Sequence, residues 1–132
     1  REVQAKFAAG CCSDAETEGI IGGVFRSEGY LCDTHTAVAV KVYEDYRTST
    51  GDTTPTVIVS TANPYKFADH VLNAIGGEVS QDAFENVARL HAASGLAIPP
   101  QLADLKSCPV RFTQSIDVSQ MEDTVLSLLT DR

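Results

Sequence analysis

Apolar residues recur at helical spacing through most of the chain and give way to β-branched runs in two places. Ser13-Asp14-Ala15-Glu16 reads as a capping box, in which a serine hydroxyl and a glutamate carboxylate each satisfy a free backbone N–H at a helix start. Ile20, Ile21, Val24 and Phe25 supply the stripe of that helix, and Gly29 ends it in a left-handed conformation. Asp33 is the next N-cap. The helix it opens runs to about Ser49, is almost wholly apolar from Ala37 to Tyr43, and stacks Val38, Val42 and Tyr46 at four-residue spacing, a pattern that predicts burial on most sides.

Pro55 leads into Thr56 to Val59, a β-branched run that suits a strand covered on both faces. A helix is predicted from about Phe67, with Phe67, His70, Val71, Ala74 and Ile75 on one face and Gly76-Gly77 as terminator. Ser80 caps another, with Phe84, Val87, Ala88 and His91 on its inner stripe until Gly95. Pro99-Pro100 start a short helix through Leu102 and Leu105, because proline is tolerated in a first turn. Val110 to Ile116 alternates as a second strand. Ser119-Gln120-Met121-Glu122 repeats the capping box before a final helix expected to bury Met121, Val125, Leu128 and Leu129. Val3 to Phe7 fits a short helix or a strand equally.

Helices flanking two strands in the manner of parallel crossovers predict an α/β fold, one unit over residues 1–132. Two parallel strands leave edges unpaired and faces under-covered, so the sheet is expected to be incomplete here and completed by chain outside these residues. The start at Arg1, the single methionine at Met121 and the lack of a signal-like segment lead to the same expectation, a piece of a longer polypeptide.

Composition narrows the function classes. A 43% hydrophobic and 21% charged chain is ordinary for a globular protein, and its apolar runs fall short of the roughly 20 residues a bilayer-spanning helix needs. A cytoplasmic setting without membrane contact is the expectation. Ten basic against eighteen acidic residues, a formal charge of −8, oppose a phosphate backbone, so nucleic acid is not an expected partner. Cys11, Cys12, Cys32 and Cys108 form no C-x-x-C pair, and no metal site is expected.

Candidate chemistry gathers where the first strand ends, at Ser60-Thr61-Ala62-Asn63-Pro64-Tyr65-Lys66-Phe67. In open α/β sheets ligands bind beyond the carboxyl ends of the strands, which would set Ser60, Thr61 and Asn63 in a crevice. Each candidate also has a plainer reading. Thr61 fits a strand-end cap, Ser60 a strand closure, Lys66 a salt bridge, Asp33 an N-cap and His35 a hydrogen-bonded core residue. His70 and His91 read as structural.

Two linked segments, Asp33-Thr34-His35-Thr36-Ala37-Val38-Ala39 and Ser60-Thr61-Ala62-Asn63-Pro64-Tyr65-Lys66-Phe67, resemble the threonine synthase patterns D-P-H-T-A-V-A and S-T-A-[HNS]-P-x-K-F in that order. Phe7-Ala8-Ala9-Gly10 and Gly29-Tyr30 extend the resemblance over the whole chain. Thr34 stands where proline is common, which affects only the stiffness of a first helical turn. Asn63 stands where histidine is frequent; it can hydrogen-bond a substrate but not relay a proton.

The resemblance implies a fold-type II pyridoxal-phosphate enzyme that converts O-phospho-L-homoserine and water to L-threonine and phosphate, with this chain as its C-terminal segment. The Schiff-base lysine and phosphate loop would lie upstream, so no catalytic residue is expected here, the cofactor would not be bound by the segment alone, and the segment would be inactive without the missing N-terminal portion. Carried over by position, Thr61, Ser60 and Asp33 would contact the cofactor, Thr61 through the pyridine nitrogen, while Lys66, Asn63 and His35 would face substrate. A segment cut from its partner would expose apolar surface and tend to self-associate. A different class, a stand-alone α/β interaction module docking through Ala37 to Ala39, is the alternative.

Overall fold

The computed structural model describes residues 2–3 and 5–130. Six α-helices follow one another: α1 (Asp14–Glu28), α2 (Thr34–Thr50), α3 (Ala68–Ala74), α4 (Ala83–Ser94), α5 (Pro100–Ala103) and α6 (Met121–Thr130). Short 3₁₀ turns at Pro64–Phe67, Leu105–Ser107 and Val118–Gln120 link them.

The first two helices start and stop where their sequences require. The Ser13 hydroxyl accepts from the Glu16 N–H at 3.3 Å, and Glu16 Oε2 accepts from the Ser13 N–H at 2.7 Å. Gly29 and Gly51 close α1 and α2 at φ 67° and 70°, a region costly for residues that carry a Cβ. Asp33 caps α2.

Helix α1 packs on α2 and α3, and α3 packs on α4. Ile21, Ala37, Val71, Leu72 and Leu90 meet in the shared core, with Leu31, Cys32, Tyr65 and Ala68 sealing its edge. Gly22 sets how closely α1 and α3 approach, because a Cβ there would lie 2.4 Å from the Ala74 carbonyl oxygen. No larger residue fits without moving backbone.

The expected α/β sheet is not formed. Among the described residues no strand occurs, and neither Thr56 to Val59 nor Val110 to Ile116 joins a ladder. A β-branched run favours extended backbone but supplies only one side of a sheet, and a strand exists when a second chain segment accepts its hydrogen bonds. Here residues 56–59 lie beside α2, with Val57 87% and Val59 71% exposed, over a hollow lined by Ala39, Val42, Tyr43 and Tyr46.

Smaller expectations also shift. Asp82 caps α4 in place of Ser80, accepting from the Phe84 N–H at 2.8 Å and the Glu85 N–H at 3.4 Å. The buried residues of α4 are Asn86 and Leu90, while Phe84 and His91 reach the surface. Helix α2 is buried only at Thr36 and Ala37, half-buried from Val38 to Tyr43, and exposed from Glu44 on. The capping box before α6 is Asp117 with Gln120, two residues earlier than Ser119 with Glu122. Among the described residues helix α6 packs closely only on the Val118–Gln120 turn before it, and Met121, Val125, Leu128 and Leu129 stay more than half exposed. No helix among the described residues is long and apolar enough to cross a membrane.

Candidate functional site

The two segments singled out by pattern meet at the N-terminus of α2. Asp33 is 1% exposed there, and both of its carboxylate oxygens are engaged. Oδ1 accepts from the His35 N–H at 2.8 Å and the Thr36 N–H at 3.2 Å, satisfying two donors that a helix start leaves free. Oδ2 accepts from the Thr36 hydroxyl and, at 3.3 Å, from the Ser60 hydroxyl. The Thr36 and Ser60 oxygens are themselves 3.0 Å apart. Three side chains from two distant segments therefore share two hydroxyl protons and one carboxylate.

Burial works to raise the Asp33 pKa, but the hydrogen bonds from Thr36, His35 and Ser60 outweigh it and hold the carboxyl below its usual range. Asp33 stays charged, and its charge stabilises the positive end of the α2 dipole. Burial, and then the neighbouring Asp33 charge, push the Cys32 thiol up, so it remains a neutral core residue.

Beyond this anchor the chain turns outward. Thr61 is exposed, and its hydroxyl has no hydrogen-bond partner among the described residues. Asn63 accepts from the Tyr65 N–H at 3.0 Å, capping the 3₁₀ turn that Pro64 starts. Tyr65, 3% exposed, donates its hydroxyl to the Leu96 carbonyl, which also lies 2.7 Å from His91 Nδ1. That bond ties the turn to the loop after α4.

Lys66 and His35 flank Phe67. The Lys66 ammonium stands 5.5 Å from the Phe67 ring centroid, and the His35 ring meets Phe67 edge to face at 5.5 Å and 88°. Both side chains are exposed, and Lys66 makes no salt bridge among the described residues. They face different clefts. Lys66 borders one of about 680 Å³ between the Pro64–Phe67 turn and α4, and His35 borders one of about 320 Å³ between α1, α2 and α3. His70 lines both clefts and sits 3.7 Å from Glu18 across the α1–α3 contact.

The structure thus brings Asp33 and Ser60 together, presents Thr61 beside them, fixes Asn63 in a turn, and sends Lys66 and His35 to opposite sides of Phe67. Reasoning from sequence missed Thr36 and Tyr65. Thr36 left a usable signal, a hydroxyl three residues after an N-cap aspartate, the spacing at which a side chain can reach back to the cap. Tyr65 left none, since its partner carbonyl is thirty-one residues away.

Comparison with known proteins places the chain in a family. The family described as Threonine synthase, C-terminal matches residues 36–125. Threonine synthase of Pseudomonas aeruginosa is 33% identical over 104 residues, which cover 79% of this chain and 18% of that protein. Threonine synthase-like 1 of Mus musculus is 32% identical over 100 residues, covering 75% of this chain and 13% of that protein. Threonine synthase of Corynebacterium glutamicum is 37% identical over 70 residues, or 53% and 14% of the two chains. The chain spans less than a fifth of the length of these relatives.

Proposed function

Because the chain belongs to the threonine synthase family, we propose that it acts as the C-terminal segment of a pyridoxal-phosphate-dependent lyase that converts O-phospho-L-homoserine and water to L-threonine and phosphate. The match to the C-terminal family and the small share of each relative that is covered support a segment that works only with an N-terminal portion. Alone it is inactive. The setting is the cytoplasm.

The observation that carries the site is Thr61, an exposed, unpartnered hydroxyl one residue beyond an anchored serine. This arrangement fits one edge of a planar heteroaromatic ring, which needs a fixed hydrogen-bonding group that no neighbour has already taken. Bound there, pyridoxal phosphate supplies an electron sink for carbanions formed beside the substrate amino group. A neutral hydroxyl at the ring nitrogen leaves that nitrogen largely unprotonated, whereas a carboxylate would draw a proton onto it. Thr61 therefore tunes the sink and Ser60 braces it. Asp33 contributes through Ser60, having no acceptor oxygen left over.

The substrate carries a phosphate and a carboxylate. Lys66, an ammonium in no salt bridge among the described residues, suits either as a point charge. The Asn63 amide N–H₂ remains available for a second contact, because only its oxygen is spent on the turn. His35 lines the neighbouring cleft and serves as a hydrogen-bonding wall.

A chimera tests the proposal. This chain replaces the matching segment of the Pseudomonas aeruginosa enzyme, and phosphate release from O-phospho-L-homoserine is measured together with cofactor absorbance. The chimera is expected to turn over, the 132-residue chain alone to show neither signal, and Thr61→Val to lower kcat. A folded, cofactor-loaded chimera indifferent to Thr61→Val would remove Thr61 from the site.

A further inference from the structure

We infer that Thr36 is a positioning residue: its buried hydroxyl links Asp33 to Ser60 and so fixes where the next residue, Thr61, presents its hydroxyl. The step to Thr61 rests on the cofactor-edge reading above, whereas the link itself stands on geometry alone. Thr36 is 4% exposed and sits in the first turn of α2. Its oxygen touches both Asp33 Oδ2 and, at 3.0 Å, Ser60 Oγ across twenty-four residues of sequence.

Proton counting makes the link directional. Asp33, ionised, only accepts, and Oδ1 is already committed to two backbone N–H groups. The Thr36 proton goes to Oδ2. The Ser60 proton then goes to Oδ2 or to the Thr36 oxygen, and in either case Ser60 points inward. With the Ser60 hydroxyl turned toward the start of α2, the chain presents Thr61 at the surface.

Among the described residues the Ser60 hydroxyl has no other hydrogen-bond partner. The segment 51–62 contains no helix or strand, and Val57, Val59, Ser60 and Thr61 are all exposed. Nearby restraint comes from Asp33 and Thr36 on one side and the Asn63-capped turn on the other. Asp33 holds two helix N–H groups whether or not Ser60 is present, so Thr36 is the member whose hydroxyl has the link as its purpose. Valine at this position would keep the β-branched shape and lose only the bond.

Two measurements separate the link from the site. In the 132-residue chain, backbone NMR order parameters at Ser60 and Thr61 are expected near the rigid value of about 0.85 and below about 0.6 in Thr36→Val, with Thr36→Ser restoring them. Ser60→Ala breaks the same link from the exposed side and is expected to loosen Thr61 equally, which keeps the test decisive should Thr36→Val fail to fold. Unchanged order in either variant overturns the inference. In the complete enzyme Thr36→Val is expected to lower kcat/KM roughly ten- to a hundredfold, the scale of a misplaced contact, with most of the loss in kcat. Combined with Thr61→Val it should add less than about twofold, because both act through one hydroxyl. A multiplicative double variant would mean that Thr36 acts elsewhere and overturns the inference. If Thr61→Val alone has no effect, the cofactor-edge reading fails, and the order parameters still decide the link.

Discussion

Helices α4 and α6 show similar amphipathic spacing, and their fates differ completely. Leu90 on α4 is 0% exposed, gripped between α3 and the loop after α4, while Leu128 and Leu129 on α6 are 66% and 65% exposed. Both helices have side-chain caps at or just before their N-termini, so local sequence does not separate them. What separates them is a covering surface: α4 has α3 opposite, and among the described residues α6 packs closely only on the turn that precedes it. Periodicity tells which face is apolar, and only tertiary contact turns that face into stability.

The comparison breaks hardest at Leu90. Leu90→Ala leaves a void in a core built from four helices and is expected to cost roughly 2–5 kcal/mol, measured as a shift in urea midpoint at constant slope. A loss as small as that of a surface leucine would mean that the α3–α4 contact is not formed in solution.

Asp33→Ala comes next. It strips two backbone N–H groups of their acceptor and takes from the Thr36 hydroxyl its carboxylate partner, together worth roughly 2–3 kcal/mol. The wild-type carboxyl has a folded pKa below its unfolded value. Its stabilisation is thus complete above the unfolded carboxylate pKa of about 3.9 and fades as pH falls through the folded one. Asp33→Asn should flatten that acid limb in a denaturation series. A limb unchanged in the variant would exclude Asp33 as its source.

Gly22→Ala sharpens the comparison from the packing side. The new methyl would meet the Ala74 carbonyl at 2.4 Å, and backbone cannot rotate away as a side chain can. An expected loss of roughly 1–3 kcal/mol in thermal or urea unfolding follows from overpacking. Gly23→Ala, in open space one residue on, is the control, and it should be neutral or slightly stabilising.

These positions also mark what was legible in the sequence. Capping chemistry is local, so Ser13, Asp33, Gly29 and Gly95 could be read directly, and the paired motifs picked out two segments that meet at Asp33 and Ser60. The lack of a sheet could not be read, because Thr56 to Val59 has the composition of a strand while no segment among the described residues pairs with it. Asp82 won the α4 cap from Ser80 by a two-residue margin that periodicity does not resolve. The same limit hid the Tyr65–Leu96 bond and the exposure of α6, since both are set by tertiary contact and not by local pattern.

The smallest stability effect is predicted on α6. Leu128→Ala removes atoms already two-thirds in water, so unfolding should change by no more than about 0.5 kcal/mol. Solution behaviour should change more. Met121, Val125, Leu128 and Leu129 on α6, and Val110 and Phe112 in the segment before it, are each more than half exposed, and exposed apolar side chains favour self-association. Leu128→Asp is therefore expected to leave the urea midpoint in place while lowering hydrophobic-dye binding and concentration-dependent light scattering. A midpoint that falls along with the scattering would show that α6 contributes to the fold after all, and the contrast with α4 would then be one of degree.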